Sequence, residues 1–277
     1  MEPVIFMEKV RRPDPRGLVR ERLEERLLAA DAPPLGLVLG PPGSGKSTLL
    51  GRVAARSPGP AAWYRVSEED GTEEALVRHL AHAVVQALGP GAETTALVGA
   101  GTLAELIRAL ENPGISSLLI VVDDLHEIAG SAAETALERF AALRPRRIRL
   151  LLGGRRPPAL NVSRLLVSGD LTQLDGDDLR FRSWEVEELF RTVYAQPLSP
   201  ETAAALTRRT GGWAAGLQLF HLATAGLARS DRERAVNELS GRSRLIRSYL
   251  ARNVLDGLDA DRRAFLVRTS TLGVLTG

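Results

Sequence analysis

The residues Gly40-Pro-Pro-Gly-Ser-Gly-Lys-Ser47, directly after the apolar run Leu35-Gly-Leu-Val-Leu39, constrain this chain more than any other stretch. They match the pattern G-x-x-x-x-G-K-[ST]. A short apolar run ending at glycine predicts a buried strand, and Ser47 to Ala55 reads as a helix. A glycine-rich turn between strand and helix lets backbone N–H groups point inward as an anion nest, and the helix N-terminus adds partial positive charge. The pattern therefore predicts a cradle for nucleotide phosphates made of Gly40, Pro41, Pro42, Gly43, Ser44, Gly45, Lys46, Ser47 and Thr48. Lys46 is expected to reach the β- and γ-phosphates, and Ser47 to hold Mg²⁺ through its hydroxyl. Lysine usage supports this: of 36 basic residues only Lys9 and Lys46 are lysines. A compact ammonium fits inside such a loop where a planar guanidinium does not.

The first half alternates apolar runs with amphipathic segments. Ala61–Val66, Leu118–Val122 and Ile148–Leu152 read as further buried strands. Thr102-Leu-Ala-Glu105 and Ser131-Ala-Ala-Glu134 fit the capping box, in which hydroxyl and carboxylate satisfy free N–H groups at a helix start. After the first, Leu103, Leu106, Ile107 and Leu110 share one helix face, and Asn112-Pro-Gly114 stops the helix. The stretch from Gly89 to Gly101 reads as a glycine-rich loop. This alternation predicts an α/β fold, a parallel sheet with helices on both faces.

The pattern changes after about Leu174. Ser183 reads as an N-cap, followed by Val186, Leu189, Phe190 and Val193 at helical spacing. Ser199-Pro200 starts another helix, with proline at its first position. Gly211-Gly212 breaks it, and a third helix begins near Trp213. Two more amphipathic segments are expected, one around Ile246, Leu250 and Val254, the other after Asp259. The expected domains are a nucleotide-binding domain over 1–174 and a helical second half, which the family resemblance given below divides into an all-helical lid over 175–228 and the truncated start of a winged-helix-like domain over 229–277.

With 44% hydrophobic and 25% charged residues the chain should be soluble and globular. No apolar run reaches the roughly 20 residues a membrane helix needs, so no membrane partner is expected. Cysteine is absent, which excludes disulfides and thiolate metal sites. The first twelve residues lack the apolar core of a secretory signal, and a cytoplasmic location is expected. The net charge is +2, and arginines alternate with carboxylates rather than forming a stripe suited to nucleic acid.

Beyond the glycine-rich loop, Leu118–Val122 followed by Asp123-Asp124 has the form of a Walker B strand. A carboxylate at the end of a buried strand can help hold Mg²⁺, a role assigned to Asp123. Asp124 is placed to orient or deprotonate an attacking water. The interval from Lys46 to Asp123 leaves room for one strand and two helices. Arg155 and Arg156 follow the fourth strand, where ligands of open α/β sheets lie. Arg155 is a candidate reader of the γ-phosphate. His126 is a candidate coupling group or a structural hydrogen-bonding residue.

Together these motifs resemble the STAND class of signalling ATPases, and within it the nucleotide-binding module of MalT-like and large LuxR-type regulators. Asp123-Asp-Leu-His126 resembles that group's Walker B segment, and Arg155-Arg-Pro-Pro158 its sensor segment. Asp178-Leu-Arg-Phe181 resembles the strand leading into its helical domain. Thr210-Gly-Gly-Trp-Ala-Ala-Gly-Leu217 is the most specific match. Leu18-Val-Arg-Glu21 resembles the segment covering the adenine, which implies adenine contacts from Val19 and Arg20. The position of Trp213 in the family implies a place near the nucleotide. The resemblance implies a switch that ADP holds closed and that ATP with a signal opens to permit self-association into a homo-oligomer. DNA binding would belong to domains outside this chain. The alternative is a metabolic P-loop enzyme, such as a small-molecule kinase.

Overall fold

The structure is a computed structural model. It describes residues 6–237, together with Asp261 and Ala264. The segments expected around Ile246 and after Asp259, and most of the winged-helix-like region, lie outside the described residues. The described part divides into two compact units, the first ending at Arg180 and the second beginning at Phe181.

Five strands build the first unit: β1 (Leu35–Leu39), β2 (Ala61–Arg65), β3 (Leu118–Asp123), β4 (Ile148–Gly154) and β5 (Leu171–Leu174). Their order is β2-β3-β4-β1-β5, and every pairing is parallel. The four expected strands are all present. β5, with sequence Leu-Thr-Gln-Leu, is an edge strand buried only at its ends, so it lacks the apolar run that marks its neighbours.

The connections are helical: α1 (Met7–Val10), α2 (Glu21–Leu28), α3 (Lys46–Arg56), α4 (Glu73–Leu88), α5 (Ala92–Val98), α6 (Leu103–Leu110), α7 (Ala132–Leu143) and α8 (Val162–Val167). Side chains alternate across the strands and build two cores. Leu35, Leu37, Ile120, Val122, Leu150 and Leu152 pack with α4, α6 and α7 on one face. Val38, Val121, Leu151 and Trp63 pack with Leu23, Leu49, Leu50 and Val53 of α2 and α3 on the other. Each fully buried Leu or Val contributes about 1.5–3 kcal/mol. The expected covering of both faces is therefore present.

Two expectations for this unit need correction. The stretch from Gly89 to Gly101 is not an open loop: it contains α5, anchored by the buried Leu97 and Thr94. The interval from Lys46 to Asp123 thus holds four α-helices, α3 to α6, rather than two. The Asp178–Phe181 segment is not a strand. Residues 176–179 form a turn, and the strand before the second unit is β5.

The second unit, described by itself, begins with α9 (Ser183–Glu188), which runs into a π-turn at Leu189–Val193. Its N-cap is Arg182, one residue before the expected Ser183, and Glu185 accepts the Arg182 N–H at 2.8 Å. α10 (Pro200–Thr210) carries the expected Ser199 cap and N-terminal proline. It ends at Gly211 in the left-handed region, φ 61°. α11 (Ala214–Ala223) and α12 (Arg229–Asn237) follow. Phe190 and Phe220 are buried in this unit with ring centroids 6.0 Å apart.

Candidate functional site

The carboxyl end of β1 leads straight into the phosphate-cradle motif. Gly40 donates its N–H to Gly154 O at 3.2 Å, which ties the loop to the end of β4. Gly43 and Gly45 have φ of 71° and 90°, a region that admits glycine without the Cβ clash. Gly45 is the N-cap of α3, so the turn closes directly onto the helix start. Lys46 is buried, and its Nζ donates to Gly40 O at 2.8 Å and Pro41 O at 3.1 Å. Ser44 Oγ is buried without a hydrogen-bond partner. Ser47 and Thr48 are exposed at the first turn of α3.

Asp123 ends β3 and is fully buried. Its Oδ1 accepts the Asp124 N–H at 2.9 Å, whereas Oδ2 has no hydrogen-bond partner. Gly153 of β4 makes room for it: a Cβ there would lie 2.5 Å from Asp123 Oδ1. Burial and the neighbouring Asp124 charge push the Asp123 carboxyl above its usual range, opposed by the Ser47 hydroxyl, the Asp124 N–H and the Lys46 ammonium. Burial pulls the Lys46 ammonium down, and the charges of Asp123 and Asp124 pull it back up. The loop lysine and the strand carboxylate are thus one electrostatic unit. A buried, unsatisfied carboxylate oxygen beside a serine hydroxyl is a hard-oxygen donor set, and it fits Mg²⁺.

Asp124 has φ 62°, uncommon for a residue with a side chain. Its Oδ2 accepts from Arg65 Nε at 2.7 Å, at the carboxyl end of β2. Sequence reasoning missed Arg65, because one arginine at a strand end has no local signature. The His126 side chain is largely covered; its Nε2 lies 3.0 Å from Glu127 Oε1 but makes no hydrogen bond, and Nδ1 has no partner. Burial and then the Arg155 charge lower its pKa.

Arg155 and Arg156 are exposed just past β4, the strand lying between β1 and β3. The Arg155 charge is felt at both Lys46 and His126. Val19 is half-exposed in a segment that passes the first turn of α3: a Cβ at Gly17 would be 3.2 Å from Thr48 Cγ2. The Arg20 guanidinium is buried and donates to Leu179 O at 2.8 Å and Arg180 O at 2.9 Å. Arg22 donates to Asp178 O and Arg180 O, and Arg26 to Asp178 Oδ1 and Gln173 O. These arginines clasp the turn after β5. Trp213 belongs to the second unit, as the N-cap of α11. The adjacent Gly212 lies against Phe181, whose N–H donates to Gly212 O at 2.8 Å; a Cβ on Gly212 would come within 2.4 Å of Phe181 O.

A glycine cradle after β1, a buried lysine at the start of α3 and a buried carboxylate at the end of β3, two strands away, accord with one comparison in particular: the AAA ATPase domain family matches residues 15–152. This part of the chain is an AAA ATPase domain. Nucleotide binding follows from that membership. Beyond the AAA domain, the chain is homologous to MalT-like regulators over 92% of its length. It is 29% identical over 263 residues to the HTH-type transcriptional regulator MalT of Klebsiella pneumoniae, and 28% identical over 264 residues to that of Yersinia pestis. The chain spans 29% of the length of these curated relatives. Among solved structures, a STAND protein with a tetratricopeptide repeat sensor from Pyrococcus horikoshii has a TM-score of 0.51 at 18% identity, covering 84% of this chain and 34% of that one. The Walker-type ATPase of Pyrococcus abyssi has a TM-score of 0.52 at 16% identity, covering 92% and 89%. These two neighbours share the fold of the AAA domain. Among the described residues no helix is long and apolar enough to cross a membrane.

Proposed function

We propose that the chain is the ATP- and ADP-binding switch module of a cytoplasmic transcriptional regulator, and that it hydrolyses ATP slowly with Mg²⁺. The observation that carries this reading is the coupled burial of Lys46, at the start of α3, and Asp123, at the end of β3, in a chain homologous to a regulator over 92% of its length. That homology favours a regulatory ATPase over a small-molecule kinase.

In this reading Lys46 turns its ammonium from the Gly40 and Pro41 carbonyls to the terminal phosphates. Ser47 and Asp123 hold the magnesium ion, which supplies neutralisation of phosphate charge when bound. Asp124 orients or deprotonates the attacking water, and Arg155 reads the γ-phosphate. Val19 lies along the adenine. Arg20 supports that segment through its bonds to Leu179 and Arg180 rather than through the base. The change between ADP and ATP states drives self-association, and DNA recognition belongs to other parts of the regulator.

Two variants test the assignment. Charge-assisted contacts are worth about 1.5–3 kcal/mol each, so Lys46→Ala should lose at least tenfold in ATP affinity by calorimetry while circular dichroism stays native. Asp124→Asn should bind ATP normally and hydrolyse it far more slowly. Native ATP affinity in the first variant, or wild-type turnover in the second, overturns the corresponding role.

A further inference from the structure

The sequence pattern Ser131-Ala-Ala-Glu134 predicts a capping box, in which the Glu134 carboxylate returns to the N–H of Ser131. Only half of it forms. Ser131 Oγ accepts the Glu134 N–H at 3.3 Å, but the Ser131 N–H donates to Ile128 O instead. The Glu134 carboxylate bonds elsewhere. Oε2 accepts the Gly130 N–H at 2.6 Å, and Oε1 accepts the Ala159 N–H at 3.0 Å. One half-buried side chain therefore bridges two loops at the carboxyl ends of β3 and β4. The first loop continues from Asp123, Asp124 and His126. The second carries Arg155 and Arg156.

The same helix turn is fixed from a third side, because the Ala133 N–H donates to Gly71 O at 3.1 Å. Glu134, Arg156, Pro157, Pro158 and Ala159 also line a cavity of about 290 Å³ with His126 and Leu125. The brace thus forms a wall beside the His126 imidazole. Arg155 itself is exposed, so its guanidinium is placed by the backbone of its loop rather than by packing.

We propose that Glu134 is a positioning residue for hydrolysis: by bonding Gly130 and Ala159 together it fixes the Arg155 loop against the Asp123–His126 segment. This rests on the reading of Arg155 as the γ-phosphate sensor. Backbone N–H bonds to a carboxylate are stronger than neutral ones, and two of them on one side chain fix both the distance and the direction between the loops. Both Glu134 carboxylate oxygens are taken by backbone N–H groups, so its removal should leave ADP binding intact and act on the step in which Arg155 takes part. A misplacement of about 1 Å can cost up to about a hundredfold in rate.

The test is a cycle of Glu134→Ala, Arg155→Ala and the double variant in this chain, with steady-state ATP turnover, ADP affinity by calorimetry and thermal unfolding. Glu134→Ala should lower kcat by about tenfold with KM and ADP affinity unchanged. In the Arg155→Ala background it should have no further effect, because both act through one group. Glu134→Gln keeps one acceptor oxygen and should fall between wild type and Glu134→Ala, which guards against a variant that merely folds poorly. Wild-type turnover in Glu134→Ala, or an equal loss with and without Arg155, overturns the proposal. Wild-type turnover in Arg155→Ala overturns the sensor reading, and the positioning role with it.

Discussion

Asp123 shows how one residue can serve a ligand at a cost to the free protein. Its pKa is raised, chiefly by burial, so the folded chain holds its proton to higher pH than the unfolded chain does. Stability of the nucleotide-free protein therefore falls as pH rises from the ordinary carboxylate range through the raised value. Asp123→Asn removes the buried charge and keeps the shape. It should raise the unfolding temperature of the nucleotide-free protein at pH 7, by about 2–4 °C for each kcal/mol relieved. It should also abolish the magnesium dependence of nucleotide binding. Calorimetric scans without ligand check the first part; an unchanged or lower transition counts against a charged Asp123 at neutral pH. That Asp124, Lys46 and Arg155 stand beside a strand end or a glycine motif was legible in the sequence, because apolar runs and glycines mark those positions locally. Arg65 and Glu134 were not. Their partners lie 59 and 25 residues away, and no local period reports such pairings.

Among the elements, the four strands with continuous apolar runs were legible. β5 was not, since an edge strand needs fewer apolar residues. α5 was hidden by the glycines around it, although Leu97 and Thr94 give it a buried side. α1 is short for an isolated helix, and it is fixed by the other lysine of the chain, Lys9. Lys9 Nζ donates to Ser67 Oγ at 2.7 Å and to both oxygens of Asp70 at 2.9 Å. Asp70 is buried, and despite burial its pKa is lowered by Lys9, the Ser67 N–H and His79. Removing the cation leaves a buried carboxylate short of its main partner, a loss that costs about 3–5 kcal/mol in other proteins. Lys9→Met should therefore shift the urea midpoint strongly downward at pH 7. The difference should shrink as pH falls through the lowered folded pKa of Asp70, where its charge is lost in wild type as well. A midpoint within error of wild type at pH 7 would mean that water replaces the ammonium.

At the scale of the whole molecule the chain divides into two compact units, and the division at Arg180–Phe181 falls directly after the clasped turn. The change from strand periodicity to helical periodicity was read after Leu174, six residues before that division. The boundary was blurred because residues 175–180 carry no apolar pattern and are held by distant arginines. Ligand linkage gives the test at this scale. ADP with Mg²⁺ at a hundredfold excess over its dissociation constant should add about 2.7 kcal/mol to the stability of the domain that binds it. The wild-type transition should rise by several degrees, and Lys46→Ala should not respond. A wild-type transition that ignores ADP would contradict nucleotide binding by this chain.

The arginine clasp on that turn has a consequence for how such sequences drift. Arg20 and Arg22 grip the carbonyls of Asp178, Leu179 and Arg180, and Arg26 grips that of Gln173. A carbonyl is present whatever side chain accompanies it. Replacements in the turn can leave these bonds intact, while replacements on α2 and at Arg20 cannot. Selection for the clasp therefore falls on one partner alone. Paired substitutions, the usual trace of contact between two segments, should be rarer where these carbonyls are gripped than at Asp178, whose carboxylate pairs with Arg26 and feels the charge of Arg22.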